Sequence, residues 1–207
     1  ERAGGFQNPN YPDTFVFTND FAALLEVSSD APFQEGLLQA KGERGICKVV
    51  CFSPDHGLTL PQMEMSAISK VIELWQAQYL ELGAIDFIQH VQIFENKGEI
   101  MGCSNPHPHG QIWAQSTIPQ ETRLKTIQQD QYWQENQRSL LGDYLTQEIK
   151  EGSRIVLENE AFVALVPFWA IWPYEAMIIP RRQMRDITEM DEGEKNAFAQ
   201  ILKALTI

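Results

Sequence analysis

The sequence predicts an α+β fold with an antiparallel sheet, and three observations support this class. Short runs of β-branched and aromatic residues recur along the chain. Loops and turn residues separate most of them, whereas a helix after every strand would favour a parallel sheet. A few longer segments instead carry apolar residues at helical spacing.

The first two strands lie before residue 54. Residues 14–18 (TFVFT) are rich in β-formers and end at the turn residues Asn19 and Asp20. Residues 30–44 are rich in Gly, Pro and charge and are predicted to be a loop. Residues 45–53 form the second strand, which Pro54 closes.

A helix is predicted over residues 66–82, because its apolar residues fall three or four apart and Gly83 supplies a stop. Residues 90–95 (HVQIFE) follow as a strand. Residues 96–106 contain two glycines and two asparagines and form a loop, and residues 108–114 continue as the fourth strand.

The rest of the chain repeats this mixture. Residues 121–141 are predicted as one polar, Gln-rich helix, and the final helix begins near Asp191. Three further strands are predicted at 154–157, 162–168 and 174–180. Residues 16–24 weakly resemble residues 156–165, which is consistent with an internal duplication or with chance.

Composition excludes several classes of protein. The chain has 207 residues, 43% of them hydrophobic, and a formal net charge of −12, which argues against broad binding to nucleic acid. No apolar run is long enough to cross a membrane. Three cysteines, an odd number, argue against a disulfide framework and favour a reducing compartment, so a cytoplasmic location is predicted.

The most informative stretch is residues 105–113 (NPHPHGQIW), which holds two of the four histidines. Alternation in a strand would place His107, His109, Gln111 and Trp113 on one face. Two neighbouring imidazoles are unfavourable when both are charged, so one could bind a metal and the other act as a neutral nucleophile. The Gln111 amide could then bond a phosphoryl oxygen. A surface strand with incidental histidines, or a metal site without catalysis, remains open.

The loop before this strand favours phosphate. Gly98, Gly102, Ser104 and Asn105 are expected to offer free backbone N–H groups and a hydroxyl, which can hold phosphate with few cations. An ordinary Gly/Asn turn is the alternative.

These residues carry a resemblance to a known family. FTNDFAAL (17–24), CFSPDH (51–56), FENKG (94–98) and GCSNPHPHGQIW (102–113) resemble galactose-1-phosphate uridylyltransferases. The similarity continues through DY (143–144), GSR (152–154), VPFW (166–169) and WP (172–173) and covers nearly the whole chain.

The resemblance implies a histidine-triad-like antiparallel sheet with flanking helices, built as two related halves with the second incomplete. Residues 1–118 would be the first half, 119–152 a connecting helical segment and 153–207 the start of the second half. The chain is therefore expected to be truncated at both ends, with little transferase activity alone. The implied reaction moves UMP from UDP-glucose to galactose 1-phosphate by double displacement.

The resemblance also assigns residues. His109 matches the nucleophile that becomes covalently uridylylated, and Gln111 matches the amide that holds the phosphoryl oxygens. Positions that match contacts to uridine and phosphate are Asn19, Asp20, Asn96, Gly102, Cys103 and Ser104, together with Gln111.

The metal assignment is partial. His56 and His107 match two zinc ligands, and the family's other two would lie upstream of residue 1. Cys51 and His56 form an alternative pair of zinc ligands by their spacing. Cys47 and Cys51 lie on one strand face, however, and are expected to be core thiols.

An iron site is doubtful, because Lys125 occupies the position of the family's iron-binding glutamate. Glu121 could replace that glutamate only if the helix were shifted.

Further expectations concern the assembly of the protein and its alternative functions. A homodimer is expected, and Trp169 and Trp172 would lie in the core or a subunit interface. Two alternatives stay open: another histidine-triad-like nucleotidyltransferase or phosphorylase, and a non-catalytic nucleotide- or zinc-binding module.

Overall fold

The computed structural model describes residues 2, 5–28, 31–103, 105 and 107–207. Its strands are β1 (Phe15–Thr18), β2 (Phe33–Glu35), β3 (Leu38–Ala40), β4 (Gly45–Cys51), β5 (His90–Phe94), β6 (His109–Gln115), β7 (Ile155–Glu158), β8 (Phe162–Leu165) and β9 (Met177–Pro180). Its α-helices are α1 (Met65–Gly83), α2 (Gln120–Asn136), α3 (Leu140–Glu151) and α4 (Glu192–Leu205). The mixture of helices with antiparallel sheets confirms the predicted α+β class.

The chain divides into two compact units, residues 1–59 with 73–119 and residues 60–72 with 120–207. The first unit is built on a four-stranded antiparallel sheet in the order β1-β4-β6-β5. Strand β6 therefore has a hydrogen-bonded neighbour on each side. In the register of β4 with β6, Cys51 lies opposite His109 and Val49 opposite Gln111.

Burial alternates along β6 as the pleat requires. Gly110, Ile112 and Ala114 are buried on one face, and His109, Gln111 and Trp113 are half-buried on the other. On the buried face, a Cβ added at Gly110 would lie 2.9 Å from the Phe52 ring and 3.0 Å from the Phe94 carbonyl oxygen. The absence of a side chain at Gly110 thus lets Phe52 pack directly on the central strand.

The buried apolar residues of this unit come mainly from β4 and β6, with Leu82 from the part of α1 that belongs to it. Cys47, Val50 and Cys51 are almost fully buried, which supports the expectation that the two cysteines are core thiols. The Phe52 ring meets the edge of the Trp75 ring from α1, with centroids 6.0 Å apart. The predicted helix over 66–82 is confirmed within one residue at each end.

The second unit has a three-stranded antiparallel sheet in the order β7-β8-β9. All four residues of β8 are buried, and Val163 and Leu165 pack with Leu145 and Ile179. The buried Glu148 carboxylate accepts two hydrogen bonds from Arg154 Nε, at 2.8 and 3.1 Å, so its charge is compensated.

Helix α4 starts where the sequence predicted. Asp191 caps it, and Asp191 and Glu194 form a reciprocal capping box. Glu194 also accepts both Arg182 donors, at 2.7 and 2.8 Å, and this pairing lowers the pKa of Glu194 to about 2.

Several sequence expectations were wrong. The single helix over 121–141 is two helices, because Gln137 adopts φ 53° and Ser139 caps a new helix by accepting from the Gly142 N–H. The loop over 30–44 contains the hairpin β2–β3, which turns at Gly36 with φ 57°. The strands expected over 162–168 and 174–180 are only four residues each.

Across the described ranges, no helix combines the length and apolar character needed to span a bilayer.

Replacing Gly110 with Ala should lower the free energy of unfolding by about 1–3 kcal/mol, because the added methyl group overpacks the Phe52 ring. Denaturant unfolding measures this. Gly83→Ala is the matched control, since its Cβ would meet no atom within 4 Å. Equal stability of the two variants would contradict the packing argument.

Acid should remove the stabilisation that Glu194 supplies. Its folded pKa is depressed, so the contribution is complete above the ordinary value of 4.5 and is lost as the pH falls to about 2. Glu194→Gln keeps an acceptor for the capping box but loses the charge. The difference in the free energy of unfolding between this variant and the wild type should therefore shrink as the pH falls from 4.5 to about 2. Urea unfolding at several pH values tests this, with Glu192→Gln from the same helical turn as control. A deficit that does not change with pH would refute the Arg182 pairing as its source.

Candidate functional site

The site is organised around His109, the first residue of β6. Its Nδ1 lies 2.6 Å from the backbone carbonyl oxygen of His107. A carbonyl oxygen only accepts hydrogen bonds, so the proton is assigned to Nδ1, which donates it. In the neutral form of His109, Nε2 then carries a lone pair and no proton, which is the state that a nucleophilic imidazole needs.

His107 lies just before β6, so it is outside the strand that His109 begins. It is 8% exposed, and its N–H donates to the Asn105 side-chain oxygen at 3.0 Å. The Phe52 N–H donates to the Pro108 carbonyl at 2.9 Å, which anchors the chain between His107 and His109. This anchored bend turns the two imidazoles to different partners.

The partner of His107 is His56. Their Nδ1 atoms are 2.9 Å apart and their ring centroids 4.4 Å apart, so two residues 51 positions apart in the chain are adjacent. Burial lowers the pKa of His107, and the neighbouring His56 and His109 lower it further, whereas the nearby Ser53 carbonyl and Asp55 carboxylate oppose the shift. His107 is therefore a neutral imidazole at neutral pH.

A turn presents His56 to this pair. The Asp55 N–H donates to Ser53 Oγ, and the Gly57 N–H donates to the Asp55 carboxylate at 2.8 Å. These local bonds hold the exposed His56 beside a buried neighbour. Within the described ranges, no three or more His, Cys, Asp or Glu residues are grouped so that they could hold a metal ion.

Cys51 is therefore not the third member of a metal group with the two histidines. It is 5% exposed, and burial raises the pKa of its thiol. Tyr11, which sequence reasoning missed, places its hydroxyl 3.1 Å from His107 Nε2. Burial raises the pKa of Tyr11 above its ordinary value, so its hydroxyl stays protonated.

His109 lines a cleft of about 650 Å³, together with Tyr11, His56 and His107. The predicted substrate residues Asn19 and Asp20 line the same cleft. The Asn19 side-chain oxygen accepts from the Phe21 N–H at 3.0 Å, which sets the orientation of the amide.

Arg2 is a second residue that sequence reasoning missed. Its guanidinium lies 4.2 Å from the centroid of the Phe17 ring and pairs with Asp20 through Nε at 3.1 Å and through Nη2. The charge of Asp20 is thereby neutralised at the cleft wall. No short sequence motif joins Arg2 and Asp20, which lie 18 positions apart, so the sequence carried no signal for this pair.

A smaller cleft of about 300 Å³ lies on the other side of the histidines. It shares His107 and His109 with the first and adds the predicted residues Asn96 and Cys103. Glu95 also lines it, and burial raises the pKa of Glu95 although Lys97 and His109 oppose the shift.

In the loop from Gly98 to Cys103, the N–H groups of residues 101–103 are bound within the loop, so the expectation of a free N–H was wrong for Gly102. The Gly102 N–H donates to the Glu99 carbonyl, and the Met101 and Cys103 N–H groups donate to the Gly98 carbonyl. Ser104, another predicted phosphate contact, lies outside the described residues. Gln111 lies on the His109 face of β6, opposite Val49 and Phe94.

The doubtful iron position lies on α2 of the second unit. Lys125 there pairs with Glu121 at 2.8 Å across one helical turn, and this pairing lowers the pKa of Glu121.

Together, the fold and the site define a histidine-triad-like protein, an antiparallel α+β unit whose central strand begins with a cleft-lining histidine. Residues 1–119 match the family described as galactose-1-phosphate uridyl transferase, N-terminal domain, and residues 125–207 match its C-terminal domain. The chain belongs to this galactose-1-phosphate uridyl transferase family.

Similar proteins and a solved structure support this family assignment. The galactose-1-phosphate uridylyltransferase of Haemophilus influenzae is 46% identical over all of this chain and 59% of its own length. That of Schizosaccharomyces pombe is 40% identical over 99% of this chain and 60% of its own length. A solved uridylyltransferase structure superposes on 92% of this chain and 61% of its own length, with a TM-score of 0.83 at 26% identity. The chain thus spans about three fifths of the relatives it matches.

Thiol reagents should distinguish the cysteines. Cys103 is half-exposed, whereas Cys47 and Cys51 are buried and the Cys51 pKa is raised, so Cys103 should react first in the native protein. Mass spectrometry after brief N-ethylmaleimide treatment should show one adduct. Cys103→Ser should abolish it and Cys51→Ser should not. Rapid labelling of Cys51 would show that the β4 thiol is not a core residue.

Proposed function

We propose that the protein transfers UMP from UDP-glucose to galactose 1-phosphate through a covalent uridylyl-His109 intermediate. The observation that carries the proposal is the bond from His109 Nδ1–H to the His107 carbonyl, because in the neutral imidazole it leaves Nε2 free as the nucleophile in a residue that lines both clefts. Membership of the family supports the choice of substrates.

In the first half-reaction, the Nε2 lone pair attacks the α-phosphorus of UDP-glucose. The bond from that phosphorus to the bridging oxygen breaks, and its electron pair leaves with glucose 1-phosphate. A phosphate oxygen of galactose 1-phosphate then attacks the same phosphorus, and the phosphorus–nitrogen bond breaks to restore His109. Two displacements at one nucleophile replace a single transfer between two anionic sugar phosphates.

The His107 carbonyl serves both steps. When Nε2 is bonded to phosphorus, the ring carries a positive charge while Nδ1 keeps its proton. The carbonyl dipole 2.6 Å from Nδ1 stabilises that charge without adding an anion that would repel phosphate.

The remaining site assignments are part of the proposal. Gln111 donates its amide to a phosphoryl oxygen of the intermediate. Uridine and phosphate contacts come from Asn19, Asp20, Asn96, Gly102, Cys103 and Ser104. A homodimer and a cytoplasmic location stay predictions.

Zinc is proposed as a structural ion held by His56 and His107. Two nitrogens bound to a tetrahedral zinc at 2.0–2.1 Å lie about 3.4 Å apart. The two Nδ1 atoms, at 2.9 Å, therefore fit one ion after a small opening, with further ligands from elsewhere in the protein. When bound, zinc would hold the turn after β4 to the segment before β6, and it takes no part in the proposed steps.

The purified protein incubated with uridine-labelled UDP-glucose should retain label as an acid-labile, base-stable adduct on His109. His109→Ala should retain none, because no other group replaces the nucleophile. His90→Ala, which changes a histidine outside both clefts, should retain label as the wild type does. Equal retention by His109→Ala and the wild type would refute the proposal.

Two further comparisons narrow the reaction. Gln111→Ala should slow adduct formation by about 10²–10³-fold, the usual cost of losing one donor to a developing oxyanion. ADP-glucose and diadenosine tetraphosphate should label His109 far more slowly than UDP-glucose does. Faster labelling by either would identify a different nucleotidyltransferase or a phosphorylase, and binding of UMP without any adduct would identify a non-catalytic module.

A further inference from the structure

Three hydrogen bonds hold the backbone just before β6. The His107 N–H donates to the Asn105 side-chain oxygen at 3.0 Å. The Pro108 carbonyl accepts from the Phe52 N–H at 2.9 Å, and the His107 carbonyl accepts from His109 Nδ1–H at 2.6 Å. The peptide that orients the His109 ring therefore lies between a bond to a side chain and a bond to the end of β4.

The proline at position 108 explains why a side chain is needed there. Pro108 has no N–H, so the strand ladder has no donor with which to hold the peptide between residues 107 and 108. A residue before proline is also restricted to extended backbone, so the His107 carbonyl has a narrow range of directions once the His107 N–H is fixed. The acceptor that fixes this N–H is the Asn105 side chain, in the way that asparagine commonly bonds the backbone two residues on.

Asn105 lies at the wall of the site. The exposed residue lines both clefts, as His107 and His109 do. A backbone N–H only donates, so the atom of the Asn105 amide that faces His107 is the oxygen. That oxygen is directed to the backbone rather than to a ligand.

We propose that Asn105 is a positioning residue for His109. Its side-chain oxygen fixes the His107 peptide, and the carbonyl of that peptide holds the His109 ring by Nδ1, so that Nε2 is presented to the clefts. The proposal rests on the nucleophile of the proposed function and goes beyond it by naming what orients the ring.

The expected effect is on rate. Without the Asn105 oxygen, the His107 N–H loses its acceptor and the peptide that follows can turn. The His109 ring then gains rotamers that point Nε2 away from phosphorus. Attack requires a near-attack geometry, and a displacement of about 1 Å can cost about 100-fold in rate.

Two variants separate positioning from contact with substrate. Asn105→Ala loses the acceptor, so it should lower the maximal rate of uridylyl-adduct formation by about 10- to 100-fold. Asn105→Asp keeps the acceptor but adds a negative charge beside phosphate. It should keep the wild-type maximal rate and raise the UDP-glucose concentration that gives half of that rate, because like charges repel.

The matched control is Asn159→Ala. The Asn159 side-chain oxygen also accepts from the N–H two residues on, that of Ala161, but in the second compact unit. Its loss removes the same kind of turn, so it should change neither the maximal rate nor the half-saturating concentration.

The orienting bond is measured separately, by NMR of protein labelled with ¹⁵N-histidine and assigned through His109→Gln. A hydrogen-bonded ring N–H is shifted downfield and exchanges slowly with water. The wild type and Asn105→Asp should show such a resonance for His109 Nδ1–H, and Asn105→Ala should lose it.

Absence of this resonance in the wild type would overturn the proposal, even if Asn105→Ala does not fold. Its retention in a folded Asn105→Ala would overturn it too, and so would an equal fall of the maximal rate in both variants, which would mean direct contact with substrate. If the wild type forms no adduct, the proposed reaction is refuted, and the resonance alone decides whether Asn105 holds the ring.

Discussion

The pairing of β4 with β6 is the constraint on which the site depends. Cys51 opposite His109 sets where the nucleophilic histidine stands, and the Phe52 N–H bond to Pro108 extends the pairing beyond the strand. Because β4 then turns at Pro54, the same register carries His56 to His107. A slip of one residue would send His109 to the buried face, so the packing of Phe52 on Gly110 protects the chemistry as well as the core.

Backbone carbonyls, rather than carboxylates, determine where protons reside in this site. The His107 carbonyl accepts from His109 Nδ1–H, and the Ser53 carbonyl accepts from the Tyr11 hydroxyl that lies beside His107. A carboxylate in either place would raise the pKa of the imidazole and add a negative charge next to an incoming phosphate. Carbonyl acceptors add no negative charge next to an incoming phosphate, which suits a chain whose net charge is already −12.

The acidic chain has to meet phosphate locally. The charge of Asp20 is cancelled by Arg2, and the N–H groups from Met101 to Cys103 are bound within their own loop. Under the proposed function, the amide of Gln111 and the ammonium of Lys97, which lines the smaller cleft, donate hydrogen bonds to the phosphates. Binding then relies on a few directed hydrogen bonds instead of a broad positive field.

What the sequence by itself determined is the local and periodic part of the molecule. Runs of β-forming residues predicted β4 and β6, helical spacing predicted α1, and the last helix was predicted to begin near Asp191, because each signal lies within one element. The same reasoning failed where the backbone conformation of a single residue ends one element and begins another. This happens at the break between the two helices before Ser139 and at the hairpin turn at Gly36. Only the tertiary structure decided that His56 lies beside His107, and that Arg2 and Tyr11 join the site. Tyr11 and His107 are 96 positions apart, and proton placement depends on such through-space contacts, which strand and helix periods do not encode.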